Sequence, residues 1–119
     1  MKEFKGTPGP WFTVQQYADE VSVIDTDGFK VVTAERTAIL MDWDKKGFEH
    51  WGDDGGNKHL SGPEQFANAY IIAAAPELLE ALRSVIEACS NLGYNGDGQE
   101  ELYIEVEKAE KVINKALGQ

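Results

Sequence analysis

The longest apolar stretch of the chain lies at residues 67–82, where apolar positions recur with helical spacing. A break is expected just before Pro76, because proline lacks a backbone donor and its ring clashes with the preceding turn. Pro76 instead suits the first turn of a new helix. Upstream, Ser61 or Gly62 is expected to cap the first of these helices, with Pro63 in its first turn. The pattern therefore predicts two consecutive helices that meet at Pro76.

Two matched apolar stripes predict a C-terminal helix pair. In the helix after Pro76, apolar residues follow one another at spacings of four, three, four and three positions. They are Leu78, Leu82, Val85, Cys89 and Leu92, and Leu79 and Ile86 widen this stripe. A third helix is expected at residues 100–117, with the stripe Leu102, Val106, Ala109, Ile113 and Ala116. We expect the two helices to pack antiparallel. Since such stripes also serve subunit contacts, a homo-oligomer through the C-terminal helices is expected.

The N-terminal part shows the alternation of polar and apolar residues that is typical of strands. Val21 and Val23 fall on one face of a strand at residues 20–25, and Asp27-Gly28 suits a tight turn. The sequence therefore predicts a hairpin over about residues 20–34. Further strands are predicted at residues 11–17 and 36–43. The predicted fold class is α+β, a small antiparallel sheet followed by a helical region.

Length and charge restrict the classes of function. The 119 residues fit one domain, with a β part at 1–41, a loop or insertion at 42–62 and a helical part at 63–119. The formal net charge of −10 disfavours extended nucleic acid, because phosphate binding needs clustered lysine and arginine. There is no apolar run of about 20 residues and no signal-peptide pattern at the N-terminus. A cytoplasmic protein without a membrane partner or a cofactor is expected.

The charged, glycine-rich segment at residues 42–62 holds the best cluster of potential metal ligands. Weak candidates for a divalent metal are His50, Asp53, Asp54 and His59. Their spacing matches neither H-E-x-x-H nor a cysteine-containing zinc site, and acidic loops commonly carry solvated charge. We therefore predict neither a metal site nor catalytic residues, and keep a metal-dependent hydrolase as an alternative.

Four other residues are candidates for ligand binding, each with a structural role as the alternative. Asn68 is polar within an apolar helix, and the planar guanidinium of Arg83 could hold a phosphate or carboxylate. The rings of Trp11 and Tyr70 could stack on a base. These residues predict a site for a small anionic nucleotide near Pro76.

Two blocks of sequence resemble a known group of proteins. Thr7-Pro8-Gly9-Pro10-Trp11 and Ala67-Asn68-Ala69 with Ile72 to Leu82 resemble the TPGPW and ANA-x-x-IAAAPELLEAL motifs of small bacteriophage and prophage accessory proteins. Most members of that group lack an assigned activity. The resemblance implies a protein that acts in the cytoplasm of a bacterial host.

The resemblance and the missing catalytic motifs together give one preferred hypothesis. We expect a non-enzymatic phage accessory protein that counteracts antiviral defence by binding. It would either sequester a cyclic-nucleotide-type signal or mask a host defence protein. Besides the hydrolase, a structural or regulatory interaction domain is an alternative.

Overall fold

The computed structural model of the chain describes residues 3–92 and 100–119. The chain forms two compact units: unit 1 comprises Met1–Pro10 and Ala75–Gln119, and unit 2 comprises Trp11–Ala74. The strands are β1 Phe12–Tyr17, β2 Glu20–Ile24, β3 Lys30–Ala34, β4 Thr37–Ile39 and β5 Asn57–His59. The helices are α1 Gly62–Ala73, α2 Ala75–Asn91 and α3 Glu100–Ala116. The α+β prediction is confirmed.

In unit 2, β1, β2 and β3 form an antiparallel sheet in that order. The predicted hairpin is present, with β2 and β3 joined by a turn that the Asp25 side chain holds. Its Oδ1 accepts hydrogen bonds from the backbone N–H of Asp27 at 3.0 Å and of Phe29 at 2.9 Å. Gly28 has φ +88°, the left-handed conformation that glycine adopts without strain.

The core of unit 2 lies between the sheet and α1. Val21 and Val23 are buried, as the alternation predicted, and they cluster with Ala34, Ala69 and Ala73. Small alanines on α1 let the helix approach the sheet closely. Half-buried side chains that pack against this core are Trp11, Phe66 and Ile72.

Unit 2 also contains a two-stranded sheet that sequence reasoning described only in part. The strand predicted at residues 36–43 is shorter, since β4 covers Thr37–Ile39 and a series of turns follows at 41–47. Within the predicted 42–62 loop, β5 pairs antiparallel with β4, and Ala38 lies opposite Lys58. The β5 sequence Asn-Lys-His has no apolar alternation, so it carries no strand signal.

The helix boundaries near Ser61 and Pro76 follow the predicted local chemistry. Ser61 caps α1, because its hydroxyl accepts a hydrogen bond of 3.2 Å from the backbone N–H of Glu64. α1 ends at Ala73, and α2 begins at Ala75 with Pro76 in its first turn. The predicted break is therefore confirmed.

In unit 1, α2 and α3 pack through a buried core of Ile86, Val106 and Ile113. Partly buried residues around it are Leu79, Leu82, Cys89, Ala109 and Leu117. The predicted stripe on α2 is rotated relative to the buried one, since Leu78, Val85 and Leu92 are 53%, 58% and 84% exposed. The buried seam follows Leu79 and Ile86, which sequence analysis treated as the edge of the stripe. In the described part of the chain, no helix has the length and apolar character needed to cross a membrane.

Candidate partner-binding site

The segment between β4 and β5 is folded on itself by backbone hydrogen bonds. Leu40 N–H donates to Gly56 O at 2.8 Å, and Phe48 N–H donates to Trp43 O at 3.0 Å. Gly56 is buried, and a Cβ there would lie 2.9 Å from the carbonyl oxygen of Trp51. Only glycine permits this approach, so the backbone at Gly56 helps to fix the position of Trp51.

Asp53 stabilises the turn that precedes Gly56. Its Oδ2 accepts hydrogen bonds from the backbone N–H of Glu49 at 3.1 Å and of His50 at 2.9 Å. Its own carbonyl oxygen accepts from Gly56 N–H at 2.8 Å. The Asp53 carboxylate therefore serves the loop scaffold.

An aromatic cluster surrounds His50. The centroid of its ring lies 5.1 Å from that of Trp51 and 6.3 Å from that of Trp43. His50 Nδ1 accepts a hydrogen bond of 2.9 Å from Gly52 N–H, which requires this nitrogen to be unprotonated. Asn57 adds a further restraint, since its Nδ2 donates to Trp51 O at 3.0 Å. The backbone that carries Trp51 is thus held from two sides.

These restraints shape a groove of about 570 Å³ on one face of the β4–β5 sheet, which we call the Trp51 groove. Its lining residues are Glu35, Thr37, Ile39, Trp51, Gly52, Asn57 and His59. Thr37 Oγ1 and His59 Nδ1 lie 3.0 Å apart across the two strands and form a hydrogen bond. Trp51 remains 42% exposed, and Ile39 beside it is also exposed. The groove therefore combines an accessible apolar floor with a carboxylate at its edge.

The predicted metal candidates are distributed along this segment. His50 and Asp53 are in contact, but through the hydrogen bond that the His50 backbone N–H donates to the Asp53 carboxylate. His59 lies on β5 against Thr37, and Asp54 is exposed in the loop. Within residues 3–92 and 100–119, no group of three or more His, Cys, Asp or Glu side chains could hold a metal ion.

The four predicted ligand-binding residues are divided between the units. Trp11, Asn68 and Tyr70 belong to unit 2, and Arg83 belongs to unit 1. Trp11 packs against the core of unit 2, whereas Asn68 and Tyr70 are exposed on α1. Because two helical positions differ by about 200°, Asn68 and Tyr70 leave α1 on well-separated sides. The ring of Tyr70 lies beside Phe66, with centroids 5.9 Å apart.

Arg83 lines a groove of about 430 Å³ in unit 1 where the two blocks of phage-like sequence meet. The first block contributes Gly9 and Pro10, and the second contributes Pro76, Glu77, Leu79 and Glu80. Phe4 completes the lining. Two carboxylates accompany the single guanidinium, so the charge of this groove does not favour an anion.

Sequence reasoning missed the Trp51 groove because its parts lie in two segments joined by an unpredicted strand pair. Two signals were available: the aromatic residues of the 42–62 segment, and the glycines that permit tight turns between them. Neither signal indicates which ring remains exposed.

Comparison with known proteins gives the origin of the chain. No curated protein and no solved structure matches it. The family model described as Salmonella phage P22 protein Y8K6 matches residues 1–119. Since the match spans the whole sequence, the chain belongs to the family of Salmonella phage P22 protein Y8K6.

Proposed function

We propose that this phage protein is a non-enzymatic accessory protein that binds and masks a host defence protein, and that the Trp51 groove is the contact surface. The observation that carries the proposal is an accessible tryptophan on a scaffold whose polar groups hold the loop in place. Such a surface is suited to binding another protein.

The exposed apolar residues around the groove support a protein partner. Trp51 and Ile39 are exposed in the groove, and Met41, two residues after β4, is also exposed. Tryptophan is among the residues that contribute most to protein interfaces, since its large surface is desolvated on binding. Exposed apolar side chains that line one groove, as Trp51 and Ile39 do, are typical of an interaction site.

The rigidity of the scaffold supports binding as the activity. The loop backbone forms hydrogen bonds with the side chains of Asp53, His50 and Asn57. A loop that is already ordered loses little conformational entropy when a partner binds. A hydrolase would instead need these side chains to converge on a substrate or metal.

Charge indicates the kind of partner surface. Glu35 lies at the edge of the groove, and the chain carries a formal net charge of −10. Two proteins of opposite charge associate faster, and two proteins of like charge repel each other. We therefore expect the masked protein to present an apolar residue next to basic side chains.

Masking accords better with the structure than sequestration of a cyclic nucleotide. The hypothesis of sequestration places Asn68 and Arg83 on one anion, with Trp11 or Tyr70 stacked on its base. Asn68 and Tyr70 project from separated sides of α1, and Arg83 is accompanied by Glu77 and Glu80. These observations favour a protein over a small anionic ligand.

The test uses bacterial strains that each carry one antiviral defence system. The chain is expressed in every strain, and the efficiency of phage plating is compared with that of an empty vector. Wild type should restore plating in at least one strain, and Trp51→Ala should lose this effect. Phe29→Ala is the matched control, because Phe29 is an exposed aromatic residue in the β2–β3 turn.

Two measurements make the test decisive. Melting curves should show that Trp51→Ala folds like wild type, so that a lost effect reports on binding. Crosslinking in the responsive strain should then join wild type, but not Trp51→Ala, to a component of the defence system. Restored plating with Trp51→Ala at the wild-type level would reject the groove as the contact surface, and no restoration in any strain would reject the masking hypothesis.

A further inference from the structure

One side of α2 is apolar and exposed along its whole length. Leu78, Val85 and Leu92 are all more than half exposed, and Ala81 and Ala88 are exposed between them. We call these five residues the outer stripe. Their successive spacings of three and four residues place them on one side of the helix. Leu92 continues this side beyond α2, because its N–H donates to Ala88 O at 3.1 Å.

The outer stripe is separate from the seam that packs against α3. That seam consists of Leu79, Leu82, Ile86 and Cys89. α2 therefore carries two adjacent apolar stripes, and the helix pair buries only one of them. The second makes α2 more apolar than a two-helix unit requires.

Charged residues avoid the outer stripe. The sequence between Leu78 and Leu92 contains three charged residues, Glu80, Arg83 and Glu87. All three line a groove of about 440 Å³ on the other side of the helix pair, together with Glu110 of α3. Beyond Glu77 in the first turn, which lies four residues before Ala81 and borders the outer stripe, a copy of this chain can thus approach the stripe without facing carboxylates from α2. This matters at a net charge of −10.

The order of side chains in the outer stripe is self-complementary. The stripe reads Leu, Ala, Val, Ala, Leu in either direction, with Val85 at its centre. If two α2 helices pack antiparallel about a two-fold axis at Val85, Leu78 meets Leu92 of the other copy. Ala81 likewise meets Ala88, and these small residues allow close helix packing. A two-fold interface requires this kind of self-complementarity.

α3 extends the face on the same side. Val112 and Ala116 are exposed and lie about 200° and 240° around α3 from Glu110, and therefore away from the polar groove. Glu105, two turns before Val112, lies on the same side of α3 and forms an ion pair with Lys108. Two 17-residue helices side by side have a flat outline of about 25 by 20 Å. Because side chains make the surface uneven, the accessible area of such a face exceeds its flat outline. This area approaches the roughly 800 Å² per partner that stable interfaces bury.

We infer that the protein forms a two-fold symmetric homodimer through the outer stripe, with α2 antiparallel to α2 of the second copy. The residues of the outer stripe belong to unit 1, whereas the Trp51 groove lies in unit 2.

The first test measures solution mass by sedimentation equilibrium. Wild type should be a dimer at a concentration on the order of 100 μM. Val85→Glu places two carboxylates next to each other at the axis and should raise the dissociation constant at least about tenfold. Ser90→Glu is the matched control, since it adds the same charge at an exposed position of α2 that lines the polar groove.

The second test reads the antiparallel arrangement by charge pairing. Leu78→Glu with Leu92→Lys should dimerise, because the new charges meet their opposites in the other copy. Leu78→Glu with Leu92→Glu should be monomeric. Melting curves identify any variant that does not fold, and these paired variants decide the matter if Val85→Glu is unfolded.

Three results would overturn the inference. Wild type that stays monomeric at 100 μM excludes the dimer, and a Val85→Glu dimer of wild-type strength excludes the outer stripe. Equal dissociation of both paired variants excludes the antiparallel contact of Leu78 with Leu92.

Discussion

The side-chain amide of Gln65 on α1 donates a hydrogen bond of 3.1 Å to the backbone carbonyl oxygen of Ala34 on β3. The same Nε2 also donates to the carbonyl oxygen of Asp19 at 3.2 Å, in the turn between β1 and β2. Gln65 and Ala34 are both buried, so the bond to Ala34 is shielded from water, whereas Asp19 lies in an exposed turn. One side chain therefore links α1 to two parts of the three-stranded sheet.

Replacing Gln65 by alanine should destabilise unit 2 by about 1–3 kcal/mol, because the buried carbonyl group of Ala34 loses this donor. The free energy of unfolding, from urea denaturation, measures the effect. Gln15→Ala is the control, since Gln15 makes a similar bond of 3.0 Å to Ala18 O at an exposed site. Its cost should stay within about 0.5 kcal/mol. Equal costs for the two variants would contradict the role assigned to Gln65.

The buried seam of unit 1 gives a second prediction. Ile113 is among the most buried side chains of the described residues, and Ile113→Ala should reduce the free energy of unfolding by about 2–5 kcal/mol. Ile113→Asp should abolish folding of the helix pair, because a carboxylate would lose its hydration without gaining a partner. Circular dichroism melting curves measure both effects.

Ile104→Asp serves as the control for Ile113→Asp. Ile104 is exposed on α3, so the new carboxylate remains hydrated. Its melting temperature should stay close to that of wild type. If Ile113→Asp melted at the same temperature as Ile104→Asp, Ile113 would not belong to the core.

The third prediction concerns the loop between β4 and β5, where replacement of two neighbouring aspartates should differ in its cost to stability. Asp53→Ala should cost about 0.5–2 kcal/mol, because two backbone N–H groups lose the acceptor that caps them. Asp54→Ala should cost less than about 0.5 kcal/mol, since the Asp54 carboxylate makes no hydrogen bond or ion pair with the described residues. Urea denaturation of both variants gives the comparison. A larger cost at Asp54 than at Asp53 would reject the scaffold described for this loop.

Local chemistry explains which elements the sequence predicted well. The Asp27-Gly28 turn, the Ser61 cap and the break before Pro76 each depend on residues next to one another in the chain. Their backbone preferences act at short range, so a single sequence contains them in full. The valines of β2 likewise alternate, so both lie on the face that packs against α1, while Ser22 between them is buried as well.

Features that depend on pairing across the chain could not be predicted in the same way. β5 forms because Asn57–His59 meets β4, and its own three residues give no strand pattern. Gln65 is buried only because two carbonyl groups lie within its reach. The seam of α2 uses Leu79 rather than Leu78, a rotation that depends on where α3 packs. For the Trp51 groove, exposure of the ring is decided by the surrounding loop.

The last prediction concerns the dependence of stability on pH. Lys30 forms an ion pair with Glu20 across β2 and β3, and Ser22 Oγ donates to the same carboxylate at 3.2 Å. The hydrogen bond from Lys30 is the largest cause that lowers the pKa of Glu20 below its usual range, and partial desolvation opposes it. Because the folded state favours the carboxylate, its contribution to stability is fully present above the usual pKa of about 4.3.

This contribution is lost as the pH falls through the lowered pKa of the folded state. Glu20→Gln should therefore flatten the acidic part of the curve of melting temperature against pH, whereas Glu35→Gln, an exposed glutamate outside this cluster, should leave that part unchanged. Lys30→Met should raise the pKa of Glu20, which NMR titration of its carboxyl carbon measures directly. If the pKa stayed lowered in Lys30→Met, the ion pair would not be its cause, and Ser22 would be the next residue to replace.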